Sequence, residues 1–242
     1  MAALVGVLGV LLAAFVKGAI GFGFPAVSTP ILALSMDVKT AIVITILPNL
    51  VMDAVQSLRR PGFAGTLRRH AALLACGIVG TFVGTYLLKL IPGRLALLIL
   101  GLFVLSFVVT NWLHVTVRVD PRRERLVSPP VGFFVGVVGG VTNVPGTPLV
   151  IYFYALGLDK ADFVRSVSLT FLVYKATQLL AVMLAGLMTT RFFGASAALS
   201  AVGLGGFWLG LRVQDRVDQQ TFNRAVLGFL ALLGAWLVIR AL

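Results

Sequence analysis

Gly139-Gly140-Val141-Thr142-Asn143-Val144-Pro145-Gly146-Thr147-Pro148 interrupts a long apolar stretch near the middle of the chain, and Gly18-Ala19-Ile20-Gly21-Phe22-Gly23-Phe24-Pro25 interrupts another about 120 residues earlier. Glycine and proline in such density end helices. The surrounding composition identifies the solvent. Apolar residues make up 59% of the chain and charged residues 12%, against about 25% charged in an ordinary soluble domain. Leu4 to Ala14, Ala41 to Met52, Ala71 to Leu88, Leu95 to Val109, Ala195 to Leu211 and Ala225 to Ile239 contain no Asp, Glu, Lys or Arg. A membrane β-barrel would alternate apolar and polar residues in segments of about ten, and these do not alternate. The expectation is an all-α, polytopic membrane protein. Lipid cannot satisfy the N–H and C=O groups of broken backbone, so each break must be buried in protein or line a cavity.

Sliding the chain by 122 residues places Ala33-Leu34-Ser35-Met36-Asp37 on Ala155-Leu156-Gly157-Leu158-Asp159, and from there to Gln56 over Gln178 eight of 24 positions are identical. Gly18 meets Gly140 at the same offset, and Gly80 and Gly84 meet Gly206 and Gly210 at a slightly larger one. The chain therefore divides into two related halves, 1–114 and 130–242, joined by a basic linker at 115–129 that is expected to be cytoplasmic. Each half predicts a first helix (2–17; 130–140), a break, a short apolar piece (25–36; 147–158) and three longer helices (39–58, 70–89, 95–113; 161–187, 192–211, 222–241). That gives about eight full spans plus two short broken segments. A 12-residue helix covers about 18 Å, short of the ~30 Å apolar core. Paired broken segments at corresponding places in two halves point to a transporter's binding site.

Basic residues set the expected topology. If the short pieces count as crossings, the halves are inverted. Arg59, Arg60, Arg68, Arg69, Arg118, Arg122, Arg123, Arg125, Lys160, Arg165, Arg212, Arg216 and Arg224 then share one side, leaving Lys39, Lys89, Arg94, Arg191 and Arg240 on the other. Without those crossings the split is nearly even, so the positive-inside bias favours the inverted repeat. The net charge of +12 is thereby explained by loops and needs no nucleic acid. One cysteine, Cys76, excludes an internal disulfide, and His70 and His114 stand apart, so neither a metal nor another cofactor is expected. The first Lys is Lys17 and no clear cleavage site follows the first apolar run, so the first helix is expected to be retained.

The glycine break with its proline (Gly18, Gly21, Gly23, Pro25), the second break ending in Pro148, and the Ala-Leu-Gly-Leu-Asp turn at 155–159 resemble the TauE/SafE family of membrane permeases, the sulfite exporter family, over nearly the whole chain. The resemblance implies transport of small anions, often sulfur-containing: sulfite, sulfoacetate or other organosulfonates. Lys17, Phe22 and Phe24 stand where many relatives carry a denser glycine run.

The residues supply the chemistry such a role needs. Half-helices starting near Pro25 and Pro148 would present free backbone N–H groups and a positive dipole end to an anion. Gly21, Gly23, Ser28, Thr29, Thr142, Asn143 and Thr147 would line that site with neutral groups. Lys17 ends the first helix beside its break and would attract an anion, or else snorkel to the interface. Lys175 is too deep to snorkel, and it shares a face with Ser168 and Gln178. Asn49, Asp53 and Gln56 form the matching stripe, Asp53 at the repeat position of Lys175. Asp53 is expected either to neutralise Lys175, forming a coupling switch, or to pair with Arg59 or Arg60. Asp37 and Asp159 read as helix caps. No Ser–His pair, His cluster or paired intramembrane acids argue for an enzyme. The reading is a secondary transporter working by alternating access in the plasma membrane, with a small anion as substrate and a proton or sodium as coupling ion. An uncoupled channel or uniporter, or a membrane assembly subunit without flux, is the alternative.

Overall fold

The computed structural model describes residues 2–59, 61–112, 123–213, 228, 231–232 and 234–242. Helix α1 (Ala2–Ile20) runs into the first break, and the short α2 (Phe24–Ala33) follows with Pro25 in its first turn. Helix α3 (Val38–Leu58) is capped by Asp37, whose carboxylate accepts the N–H groups of Lys39 and Thr40. Then come α4 (Phe63–Arg69), α5 (Ala71–Leu90) and α6 (Gly93–Trp112). In the second half α7 (Glu124–Thr142), the short α8 (Gly146–Ala155), α9 (Lys160–Leu184) and α10 (Thr190–Val213) repeat the order, Asp159 capping α9 through the Asp162 N–H. Residues 234–241 belong to a C-terminal helix. The described residues contain helices and no strands, and six of the helices are long and apolar enough to cross a membrane. The chain is an all-helical polytopic membrane protein.

Two local features differ from the sequence reading. The loop expected at 59–69 contains α4, a two-turn helix begun by Gly62 at φ 105°. Helix α7 starts at Glu124, ahead of Pro129 and Pro130, because Ser128 ties the extra turn down. Its hydroxyl bonds both the Glu124 carbonyl and the Tyr152 hydroxyl of α8. Of the expected linker, 115–122 lies outside the described residues, as do His114, Arg118, Arg122, Arg216 and Arg224.

The halves interlock rather than sit side by side. Helix α1 packs mainly on α10, α5 on α7, and α3 crosses α9 at the centre. Glycines permit the two outer pairings. A Cβ on Gly84 would lie 2.2 Å from the Val137 carbonyl oxygen, and one on Gly210 would lie 2.2 Å from that of Phe15. Phe15 and Val137 are themselves repeat partners, so the same contact is made twice. In both pairs the residue numbers rise together, so these helices run parallel. At the centre Arg165 of α9 reaches Pro61 and Thr66, while Val182 of α9 packs with Val43 and Ile46 of α3. Helices α3 and α9 therefore run antiparallel. Equivalent helices that oppose each other make the halves inverted, and the short α2 and α8 supply the return passages.

The ends of the bundle sort the basic residues. At one end Arg69 bonds Glu124 and Arg165 holds the Pro61 carbonyl. At the other, Lys39 donates to the Lys89 carbonyl, Arg94 to Ala241 and Arg240 to Ala33. This is the division that the inverted topology predicts.

The glycine contacts generate a paired prediction. Gly84→Leu and Gly210→Leu force a side chain into a backbone carbonyl, and each is expected to cost about 1–3 kcal/mol. Gly205, where a Cβ meets nothing within 4 Å, tolerates Ala. Thermal unfolding of the purified variants in detergent distinguishes these, and equal melting of Gly84→Leu and wild type would refute the close packing.

Candidate transport site

The two breaks are built alike from different residues. Gly21 and Gly23 hold φ 98°, and Asn143, the repeat partner of Gly21, holds φ 65°. Only glycine enters this region freely, with asparagine next among ordinary residues. At each break a glutamine from the same half donates to the carbonyls where the helix ends, Gly139 also keeping the Asn143 N–H of its own helix. Gln56 donates to the Gly21 carbonyl at 2.9 Å. Gln178, its repeat partner, donates to Gly139 at 3.1 Å and Gly140 at 3.3 Å.

Between the breaks lie three ionisable side chains in the buried interior. Lys17 and Asp53 are both 0% exposed and Lys175 is 1% exposed. The Lys17 ammonium donates to Asp53 at 2.5 Å and to Asn49 Oδ1 at 3.2 Å. Lys17 therefore does not snorkel. The partner of Asp53 comes from α1: Asp53 pairs neither with Lys175 nor with Arg59, and Arg60 lies outside the described residues. Lys175 donates instead to three neutral oxygens, the Asn143 carbonyl, Asn143 Oδ1 and Gln178 Oε1. The Asn143 amide nitrogen then donates to Thr29 and Thr45 of the other half. One hydrogen-bonded chain thus joins Lys175 to α2 and α3.

Not every expected lining residue faces this centre. Ser28 bonds back to the Phe24 carbonyl, and Thr142 bonds the Val138 carbonyl and the Val144 N–H, so both serve their own backbone. Thr147 sits in the first turn of α8, and its side chain lies outside the described residues. Gly23 is open to the space before α2. The first turns of α2 and α8 flank one small cleft, lined by Phe22, Gly23, Pro25, Ala26, Val144, Gly146 and Phe171. The Phe171 ring also lies 5.8 Å from the Lys17 nitrogen, so it stands between cleft and charge.

Two residues were missed by the sequence reading, and both had a signal. Thr45 extends the Asn49, Asp53, Gln56 stripe by one more turn. Phe171 is the repeat partner of Asn49, at the same offset that aligns Asp53 with Lys175.

At the basic end His70, which precedes α5, is 2% exposed and bonds Ser166 of α9 at 3.1 Å. Burial pushes its imidazole down from 6.5 to about 4, against the opposing pull of Glu124.

Inverted broken-helix repeats around a buried polar centre define this chain as a membrane protein of the transporter class. A family model described as "Sulfite exporter TauE/SafE" matches residues 6–237. The chain belongs to that family, a family of membrane transporters and not of enzymes. No curated protein and no solved structure matches it.

Two predictions follow from the charges. Lys17→Met strands Asp53, and Asp53→Leu strands Lys17. Each single change is expected to destabilise by about 3–5 kcal/mol, and the double change by clearly less. A double-mutant cycle of thermal unfolding in detergent reads the coupling, and additive losses would deny the pair. For His70, the unfolded chain takes up a proton below 6.5 while the folded one resists until about 4. Stability is therefore expected to fall as pH drops through that window, and His70→Gln to flatten the fall. An unchanged acid profile in the variant would show that His70 does not carry it.

Proposed function

We propose that this chain is a secondary transporter that moves small anions, sulfur oxyanions or organosulfonates, across the plasma membrane by alternating access. The observation that carries this reading is the convergence of two half-helix N-termini on one cleft. That cleft is separated from a buried ammonium group by a single aromatic ring. Helix N-termini offer an anion free N–H groups and a favourable dipole. Neutral donors and one reachable cation hold it without trapping it. The basic end, with Arg59, Arg68, Arg69 and Arg165, faces the cytoplasm on the positive-inside bias.

The Lys17–Asp53 pair supplies the coupling. An anion arriving beside Lys17 competes with Asp53 for the ammonium, and the exchange loosens α1 from α3. The close burial of every charged group at the centre argues against an open channel.

Flux of sulfite and methanesulfonate in proteoliposomes tests the reading. Saturable uptake is expected from the wild type. Lys175→Met, checked for folding by size-exclusion chromatography, is expected to lower uptake by about a hundredfold, equivalent to losing roughly 3 kcal/mol of interaction. Absence of uptake from folded wild-type protein would overturn the proposal.

A further inference from the structure

The charges at the centre do not cancel, and their sum identifies the charge of the cargo. We infer that the site selects singly charged anions and discriminates against doubly charged ones of similar shape. This inference rests on the anion-transport reading above.

Lys175 donates three hydrogen bonds, to Asn143 O, Asn143 Oδ1 and Gln178 Oε1. Three acceptor oxygens around one nitrogen match the three N–H donors of an ammonium, one more than a neutral amine has, and we assign Lys175 as the ammonium on that geometry. Lys17 is matched by Asp53 at 2.5 Å. Among the described residues, every other buried polar side chain on α2, α3, α5, α7, α9 and α10 is a Ser, Thr, Asn, Gln or Tyr, and His70 lies at the basic end. Two cations and one carboxylate leave the interior with one positive charge in excess. In a low-dielectric interior an uncompensated charge is costly. One monoanion restores neutrality. A dianion replaces an excess of +1 by an excess of −1.

A second observation agrees. Asp53 Oδ2 and Gln56 Oε1 are buried acceptors without a hydrogen-bond partner, and Asn49 Nδ2 is a buried donor without one. A donor set bounded by free acceptor oxygens resists accumulation of further negative charge. It accommodates an anion whose remaining oxygen is protonated, as in hydrogen sulfite, or one with an apolar substituent, as in an alkanesulfonate.

The test compares two tetrahedral probes. Methanesulfonate carries one negative charge and sulfate two, at similar size. Uptake of radiolabelled sulfite into wild-type proteoliposomes is measured near neutral pH with each as competitor. Methanesulfonate is expected to compete, and sulfate to compete about tenfold more weakly or worse, a tenfold ratio being about 1.4 kcal/mol. Equal competition by sulfate, with uptake intact, would overturn the inference and leave the transport reading standing. No uptake of sulfite, methanesulfonate or sulfate would overturn both. Asp53→Asn adds a sharper arm, read as the rise in melting temperature that each anion gives the purified variant, since Asp53 belongs to the coupling pair. It raises the excess to +2, so sulfate is expected to stabilise at least as well as methanesulfonate. Unchanged preference in a folded Asp53→Asn protein would also overturn the inference. If that variant does not fold, the wild-type comparison still decides.

Discussion

Broken backbone inside a membrane protein must find its hydrogen-bond partners within the protein, and most of the central architecture answers that constraint. Each break frees carbonyls that lipid cannot take. Gln56 and Gln178 are placed one on each half to accept that task. Asn143 goes further, since its backbone makes the left-handed turn while its side chain links Lys175 to Thr29 and Thr45. The polar centre is therefore the structural solution to two interrupted helices. A buried polar cluster arises where that solution must exist anyway.

The repeat is symmetrical in backbone and asymmetrical in charge. Glutamines, glycine contacts and helix caps recur at equivalent positions. Asp53 faces Lys175 across the alignment, Asn49 faces Phe171, and Gly139 takes the place of Lys17. The shared backbone frames one centre from both halves, and the differing side chains make the two sides of that centre unequal. The Lys17–Asp53 pair fastens α1 to α3 within the first half. Lys175 is held by its own half and connects outward only through a neutral amide.

Much of this was legible in the sequence because hydrophobic runs and glycine-proline breaks are local signals. The short helices, the Asp37 and Asp159 caps and the order of elements all follow from neighbours in the chain. The inverted arrangement was legible through the uneven distribution of arginine, which the two ends of the bundle reproduce. Partner choice was not. Asp53 has Arg59 nearby in sequence and Lys175 nearby in the alignment, yet its partner is Lys17, brought in because α1 and α3 both pack on α2 and α10. Ser28 and Thr142 illustrate a second limit. A hydroxyl in a helix can bond its own preceding turn, and nothing in the sequence says which residues will do so. Phe171 was missed because aromatic residues in an apolar helix look like packing until the fold sets one above a charge.

The interlocking of the halves bears on how the protein is made. Phe15 meets Gly210 and Phe207 meets Gly18, so α1 cannot complete its packing until α10 has been synthesised. At ordinary translation speeds that interval is on the order of ten seconds or more. Throughout it, the glycine-bearing face of α1 has no α10 to cover it. Asp53 arrives far earlier than α10, only 36 residues behind Lys17. Both partners of the ion pair belong to the first half, so the charge of Lys17 can be covered before α10 exists. Biogenesis thus needs no second half to bury the most costly group of the first.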